Sequence, residues 1–139
     1  MAITWYRALE VGVQEVDDQH RELFRRVDAL VDAMAARRGP EEMGPLFDFL
    51  GRYAVEHFTA EEALMRVHGY PQRHAHEVEH QQFVDDFAAL RREFGREGPT
   101  ALLLVKVNGR VVQWLVDHIS RTDKELAAYL KAREGARAP

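Results

Sequence analysis

The 139 residues include no cysteine and carry a formal net charge of -4, a length that suits one domain with its own apolar core. This composition excludes a disulfide framework and thiol chemistry, and the scatter of Lys and Arg among acidic residues leaves no basic footprint for nucleic acid. No apolar run approaches the roughly 18 residues that span a bilayer, because Lys106 interrupts the longest stretch at residues 101–107, and residues 1–10 lack the basic start and apolar middle of a signal peptide; a soluble, cytoplasmic protein without membrane insertion is expected.

The expected organisation is a single domain over residues 1–139, with an N-terminal arm at 1–16, a helical bundle at 17–133 and a tail at 134–139. The arm, which includes Trp5 and Tyr6, shows no helical period. The first predicted helix opens at Asp17 or Asp18, both good N-cap residues. It carries His20, Leu23, Val27, Leu30 and Met34 at steps of three and four, until Gly39 and Pro40 stop it. The second starts between Glu41 and Pro45 and runs to about His68, with the stripe Leu50, Tyr53, His57, Glu61 and Leu64. Gly69 suits its C-terminal cap, and Gly51 sits inside it at some cost.

Pro71 introduces the third helix, whose stripe is His76, His80, Phe83, Phe87, Leu90 and Phe94; Gly95 and the pair Gly98 and Pro99 end it. The fourth opens at Thr100 with the stripe Leu104, Val107, Val111, Trp114 and His118. The polar run from Ser120 to Asp123 predicts a break there, before a closing helix from Lys124 to Arg133. Four amphipathic helices with short connections, and no strand-like alternation, predict an all-α fold. Its expected form is an antiparallel up-down-up-down four-helix bundle with an N-terminal arm and a short C-terminal helix.

Seven histidines stand out in this chain. The pairs His57/Glu61 and His76/His80 are each four residues apart, so both members of a pair project from one helix face about one turn apart. These pairs, with His20 and His118, share the stripes of Leu, Phe, Val and Trp that face the core. Taken singly, an inward histidine is more often a core residue hydrogen-bonded to backbone or water. So many inward polar groups at one depth are different, because a buried carboxylate costs several kcal/mol and demands compensation. Metal ions provide it. On a continuous α-helix Asp123 lies about 140° around from His118, so the two share a site only if the helix breaks between them. HExxH is missing, and Glu77/His80 is the sole Glu-x-x-His motif where a ferritin-like centre needs two.

At this point the sequence resembles the hemerythrins, and among them the single-domain bacterial members. The resemblance rests on GVQEVDDQHRELF around His20, HFTAEEALM around His57 and Glu61, GYPQRHAHEVEHQQF around His76 and His80, and WLVDHISRTD around His118 and Asp123. It implies two iron ions in a non-haem, oxo- or hydroxo-bridged di-iron centre. By the resemblance His76, His80 and His118 hold one iron, His20 and His57 hold the other, and Glu61 and Asp123 bridge them. Two six-coordinate irons then keep one open position, on the two-histidine side, and in this family dioxygen binds there. The resemblance also implies that Leu23, Phe58, Trp114, Leu115 and Ile119 line an apolar pocket over that position. His68 and His74 fall outside the pattern, and Glu62 reads as a surface charge.

These expectations favour a reversible dioxygen binder rather than an enzyme, serving oxygen storage, delivery or scavenging, with an oxygen-consuming enzyme as its natural partner and a monomer as its form. Two alternatives use the same residues. One is an oxygen or redox sensor read by a separate signalling partner. The other is a di-iron enzyme, namely an oxidase, a peroxidase or a nitric-oxide-handling protein.

Overall fold

A computed structural model describes residues 7–38 and 40–137, with the side chains of residues 8, 40 and 135–137 left aside. Trp5 and Tyr6 of the expected arm lie outside the described residues. A short 3-10 turn, Arg7–Leu9, precedes α1 (Gln14–Ala35), α2 (Pro40–Val67) and α3 (Arg73–Glu97). A fourth helical rod covers residues 101–137. Within it α4 (Ala101–Val107), α5 (Trp114–Asp117) and α6 (Lys124–Arg137) are joined by two π-helical turns, Asn108–Gln113 and His118–Asp123. No strand occurs among the described residues. Consecutive helices joined by short connections pack side by side, which makes the bundle antiparallel.

The start of α1 differs from expectation. The helix begins at Gln14, and its cap position, Val13, offers no side-chain acceptor. Asp17 is instead buried inside the first turn, where its carboxylate accepts the N–H groups of Val11 (2.7 Å) and Gly12 (3.1 Å). It thus ties the incoming segment down rather than capping the helix. Gly12 has φ 88, a left-handed conformation that suits glycine, and a β-carbon there would collide with the Lys131 ammonium. That ammonium donates to the Val11 carbonyl at 2.9 Å, so the N-terminal segment is fastened to α6.

The other boundaries lie near the punctuation in the sequence, although α2 already starts at Pro40, α3 runs through Gly95 and α6 continues past Arg133 to Arg137. Tyr70 N–H returns to the Met65 carbonyl (2.9 Å) around Gly69 and closes α2. Gly95 continues α3, and Gly98, at φ 74, ends it. Thr100 accepts the Leu103 N–H at 3.0 Å and opens α4. Gly51 has a packing reason for its place inside α2: a β-carbon there would come within 3.0 Å of the Phe87 ring, so the glycine lets α2 and α3 approach closely.

The fourth rod is where the sequence reading needs correction. No break occurs at Ser120 to Thr122; the chain widens into a π turn and continues as α6. Its buried face is Leu103, Val107, Val111, Leu115 and Ile119, with Leu104 and Trp114 half-buried. Steps of four drift around an α-helix of 3.6 residues per turn. The wider π turns take up an additional residue each and hold these positions on one side.

The core runs the length of the bundle. Phe47, Leu50, Phe87, Leu90, Phe94 and Leu103 belong to its main apolar cluster, and Met65, Tyr70 and Leu126 form a smaller one. No helix among the described residues is long and apolar enough to cross a membrane.

Candidate metal centre

All four helical rods deliver polar side chains to one buried place. His20 comes from α1, His57 and Glu61 from α2, His76 and His80 from α3, and His118 and Asp123 from the second π turn. Each is 3% exposed or less. The structure therefore brings together all seven residues expected from the sequence, and their donor atoms fall into two overlapping groups. Glu61, His76, His80, His118 and Asp123 form one group; His20, His57, Glu61 and Asp123 form the other. Within each group the donor atoms lie within 4.8 Å of one another.

The two carboxylates are divided between the groups atom by atom. Glu61 turns Oε1 to His76 Nε2 (2.6 Å) and His80 Nε2 (3.1 Å), and Oε2 to His57 Nε2 (3.4 Å). Asp123 turns Oδ1 to His76 Nε2 (3.1 Å) and His118 Nε2 (3.2 Å), and Oδ2 to His20 Nε2 (2.9 Å). Each carboxylate thus turns one oxygen to two histidines of the larger group and the other oxygen to one histidine of the smaller group, which is the placement a bridging ligand requires.

The π turn makes this possible. In an α-helix His118 and Asp123 would diverge by about 140°. An i→i+5 turn brings residues five apart onto one face, and such turns are frequent at functional sites. Leu115 and Ile119 flank His118 in the same rod, so the turn is held in place by core packing on both sides.

The donor set fits cations. Glu61 Oε2, both oxygens of Asp123, His76 Nε2 and His118 Nε2 are fully buried at contact distances, yet make no hydrogen bond of proper geometry. Lone pairs that converge without sharing protons suit a metal, and imidazole with carboxylate suits first-row transition ions. Without a metal, protons do the neutralising. Burial disfavours the charged form of His118, but the Asp123 carboxylate and Glu79 outweigh it and raise its pKa to about 10. Burial likewise opposes the charge on His76, and Asp123 with Glu61 raise it to about 9. Burial and the nearby Asp123 push Glu61 upward, while the imidazoles of His57, His76 and His80 against its carboxylate bring it to about 2. Asp123 also lies well below the usual carboxylate range despite burial, held there by His118, His20 and His76.

Residues 11–130 match the family model described as the hemerythrin HHE cation binding domain. The chain belongs to the hemerythrin family. A bacteriohemerythrin of Methylococcus capsulatus is 36% identical over 134 residues, covering 95% of this chain and all of that protein. A myohemerythrin of Theromyzon tessulatum is 27% identical, with 86% of each chain covered. A solved wild-type hemerythrin crystal structure superposes with a TM-score of 0.82 at 34% identity, covering 94% of this chain and 98% of that one.

Around this hemerythrin site lie partners that the sequence reading missed. His57 Nδ1 donates to Gln19 Oε1 (2.5 Å), His80 Nδ1 to Glu62 Oε2 (2.8 Å) and His118 Nδ1 to Glu79 Oε1 (2.8 Å). Glu79 also accepts from Thr122 Oγ1 at 2.9 Å. The His118 hydrogen bond holds Glu79 below its usual pKa against partial burial. Glu62 is therefore no plain surface charge. Each of these residues is the sequence neighbour of a donor on its own helix: Gln19 beside His20, Glu62 beside Glu61, Glu79 beside His80. The signal was present, but it becomes readable only when helix adjacency is known. His74 is exposed and takes no part, and His68 lies near the end of α2, away from the cluster.

The expected apolar lining divides. Phe58 stacks on His80 with ring centroids 4.0 Å apart and lies 5.8 Å from His57, while Trp114 stacks on His118 at 4.4 Å. Both aromatics thus press on histidines of the three-histidine group. Leu23, Leu115 and Ile119 are fully buried in the surrounding core.

Proposed function

We propose that this chain binds dioxygen reversibly at a di-iron centre, for oxygen storage, delivery or scavenging in the cytoplasm. The observation that carries this reading is the division of Glu61 and Asp123 between a three-histidine and a two-histidine group. In this reading His76, His80 and His118 would hold one iron, His20 and His57 would hold the other, and Glu61 and Asp123 would serve both. When bound, two ferrous irons would supply the two electrons that reversible binding of dioxygen requires.

The chain's own residues account for reversibility. The two-histidine group offers one donor fewer, so a metal held by His20 and His57 would have a coordination position to spare for a small ligand. Leu23, Phe58, Trp114, Leu115 and Ile119 enclose the centre in apolar surface and keep water from it, which slows irreversible loss of electrons. The Nδ1 partners Gln19, Glu62 and Glu79 fix three imidazoles with Nε2 turned inward.

Anaerobic loading with ferrous iron should give two irons per chain. Admission of air should then produce a visible charge-transfer absorption that disappears on deoxygenation. A spectrum that never reverses overturns the reading, and rapid turnover of peroxide or nitric oxide in place of binding reassigns the centre to an enzyme.

A further inference from the structure

The three outer partners do not carry the same charge. On the three-histidine side, His80 and His118 donate their Nδ1 protons to carboxylates, Glu62 and Glu79. On the two-histidine side, His57 donates to the neutral amide oxygen of Gln19. An imidazole whose N–H points at a carboxylate is a stronger donor through its other nitrogen, because the anion draws the proton and leaves electron density on the ring. An amide does this far less. The contrast is built into the bundle, since each partner stands beside a donor on the preceding helix: α1 supplies the amide to α2, α2 a carboxylate to α3, and α3 a carboxylate to the fourth rod. Thr122, in the π turn with His118 and Asp123, donates to Glu79 and fixes the carboxylate that holds His118.

We infer that Glu62, Glu79 and Gln19 are positioning residues that set the two metal positions at different reduction potentials. Glu62 and Glu79 stabilise the ferric state on the three-histidine side, and neutral Gln19 keeps the two-histidine side easier to reduce and more electrophilic. When a one-electron oxidant takes a single electron from the diferrous protein, the hole resides on the three-histidine side. This rests on the di-iron reading above and deepens it, because it makes the two halves chemically unequal before any ligand arrives.

The test is mediated spectroelectrochemistry on the iron-loaded full chain, comparing wild type with Glu62→Gln, Glu79→Gln and Gln19→Glu, alongside cobalt(II) titration of each apoprotein. Glutamine keeps the shape of glutamate and removes its charge. Outer-partner changes alter metal affinity by roughly 10-fold or more. A tenfold change in preference for ferric over ferrous iron corresponds to about 59 mV in a one-electron couple. Each Glu→Gln variant should raise the first oxidation midpoint by about that amount while keeping two cobalt ions. Gln19→Glu should lower the second midpoint and draw the two couples together. Midpoints that do not move in variants that still load two metals overturn the inference and leave the di-iron reading intact. Loss of two-metal binding in both Glu→Gln variants also overturns it, by making the glutamates mere structural supports. A wild-type chain that takes up no iron overturns the di-iron reading and this inference with it.

Discussion

Two sections of the same bundle face inward with equal burial and opposite chemistry. In α3 the stripe begins His76 and His80, then continues as Phe83, Phe87, Leu90 and Phe94, all buried. Around the phenylalanines the neighbours are more hydrocarbon, with Phe47 set 5.7 Å from Phe87 and 5.3 Å from Phe94 between ring centroids. Around the histidines they are other histidines and two carboxylates. The apolar section is stabilised by burial itself, at about 25 cal/mol per Å² of apolar surface. The polar section gains nothing that way, and its desolvation cost must be offset by charge neutralisation. Helical period decides which residues face inward; residue type decides whether the inside is held by exclusion of water or by a cation.

That contrast breaks most visibly when metal is removed. Chelation should lower unfolding free energy by roughly 8 kcal/mol if each of two sites is held at a thousandfold over its Kd, measured by urea denaturation with and without chelator. Glu61→Ala should abolish stoichiometric two-metal loading, because it deletes a carboxylate facing both groups; two metals retained would end the bridging assignment.

Phe47→Ala probes the other section. It should cost about 3–5 kcal/mol by opening a cavity against Phe87 and Phe94, while the metal-to-protein ratio stays at two. A loss of metal with the phenylalanine would show that the sections are coupled.

The pH dependence separates them further. In the apoprotein His76 at about 9 and His118 at about 10 sit above the ordinary histidine value of 6.5. Their contribution is complete below pH 6.5 and is lost as pH rises through 9 to 10. Glu61 at about 2 and Asp123, lowered well below its ordinary value, contribute above the ordinary carboxylate range, and that contribution is lost as pH falls toward 2. Urea midpoints of the apoprotein should therefore fall on both sides. With metal bound the histidines have already released their protons, so the alkaline decline should disappear and metal uptake should release protons.

The smallest effect is expected at His74→Ala, an exposed position beside the cluster in sequence but not in space. Stability should stay within about 0.5 kcal/mol and metal stoichiometry should not change. A larger loss would mean that adjacency in sequence matters more than the helix face.

Much of the fold was legible because helix faces and helix ends are local properties. Steps of three and four placed His20, His57, Glu61, His76, His80 and His118 among core residues, and Gly69, Gly98 and Thr100 marked ends that the structure keeps. The start of α1 was misread because Asp17 resembles a cap, whereas its carboxylate reaches back to Val11 and Gly12. Gly51 looked like a local cost because the Phe87 ring that needs its small size lies on another helix.

Spacing and residue type were enough for the bundle, for most of its inward faces and for six of the seven residues that meet there, since they carry that information without knowledge of neighbours; Asp123 entered only through the family resemblance. Tertiary structure alone decided how they meet. A π turn, rather than a break, joins His118 to Asp123, because the helix must stay continuous to bury Leu115, Ile119 and Leu126 while bringing both donors to one point. It also decided which oxygen of Glu61 and Asp123 faces which histidines, and that Gln19, Glu62 and Glu79 each hold an imidazole on the next rod. Those contacts depend on the register between helices, which packing sets and no single helix contains.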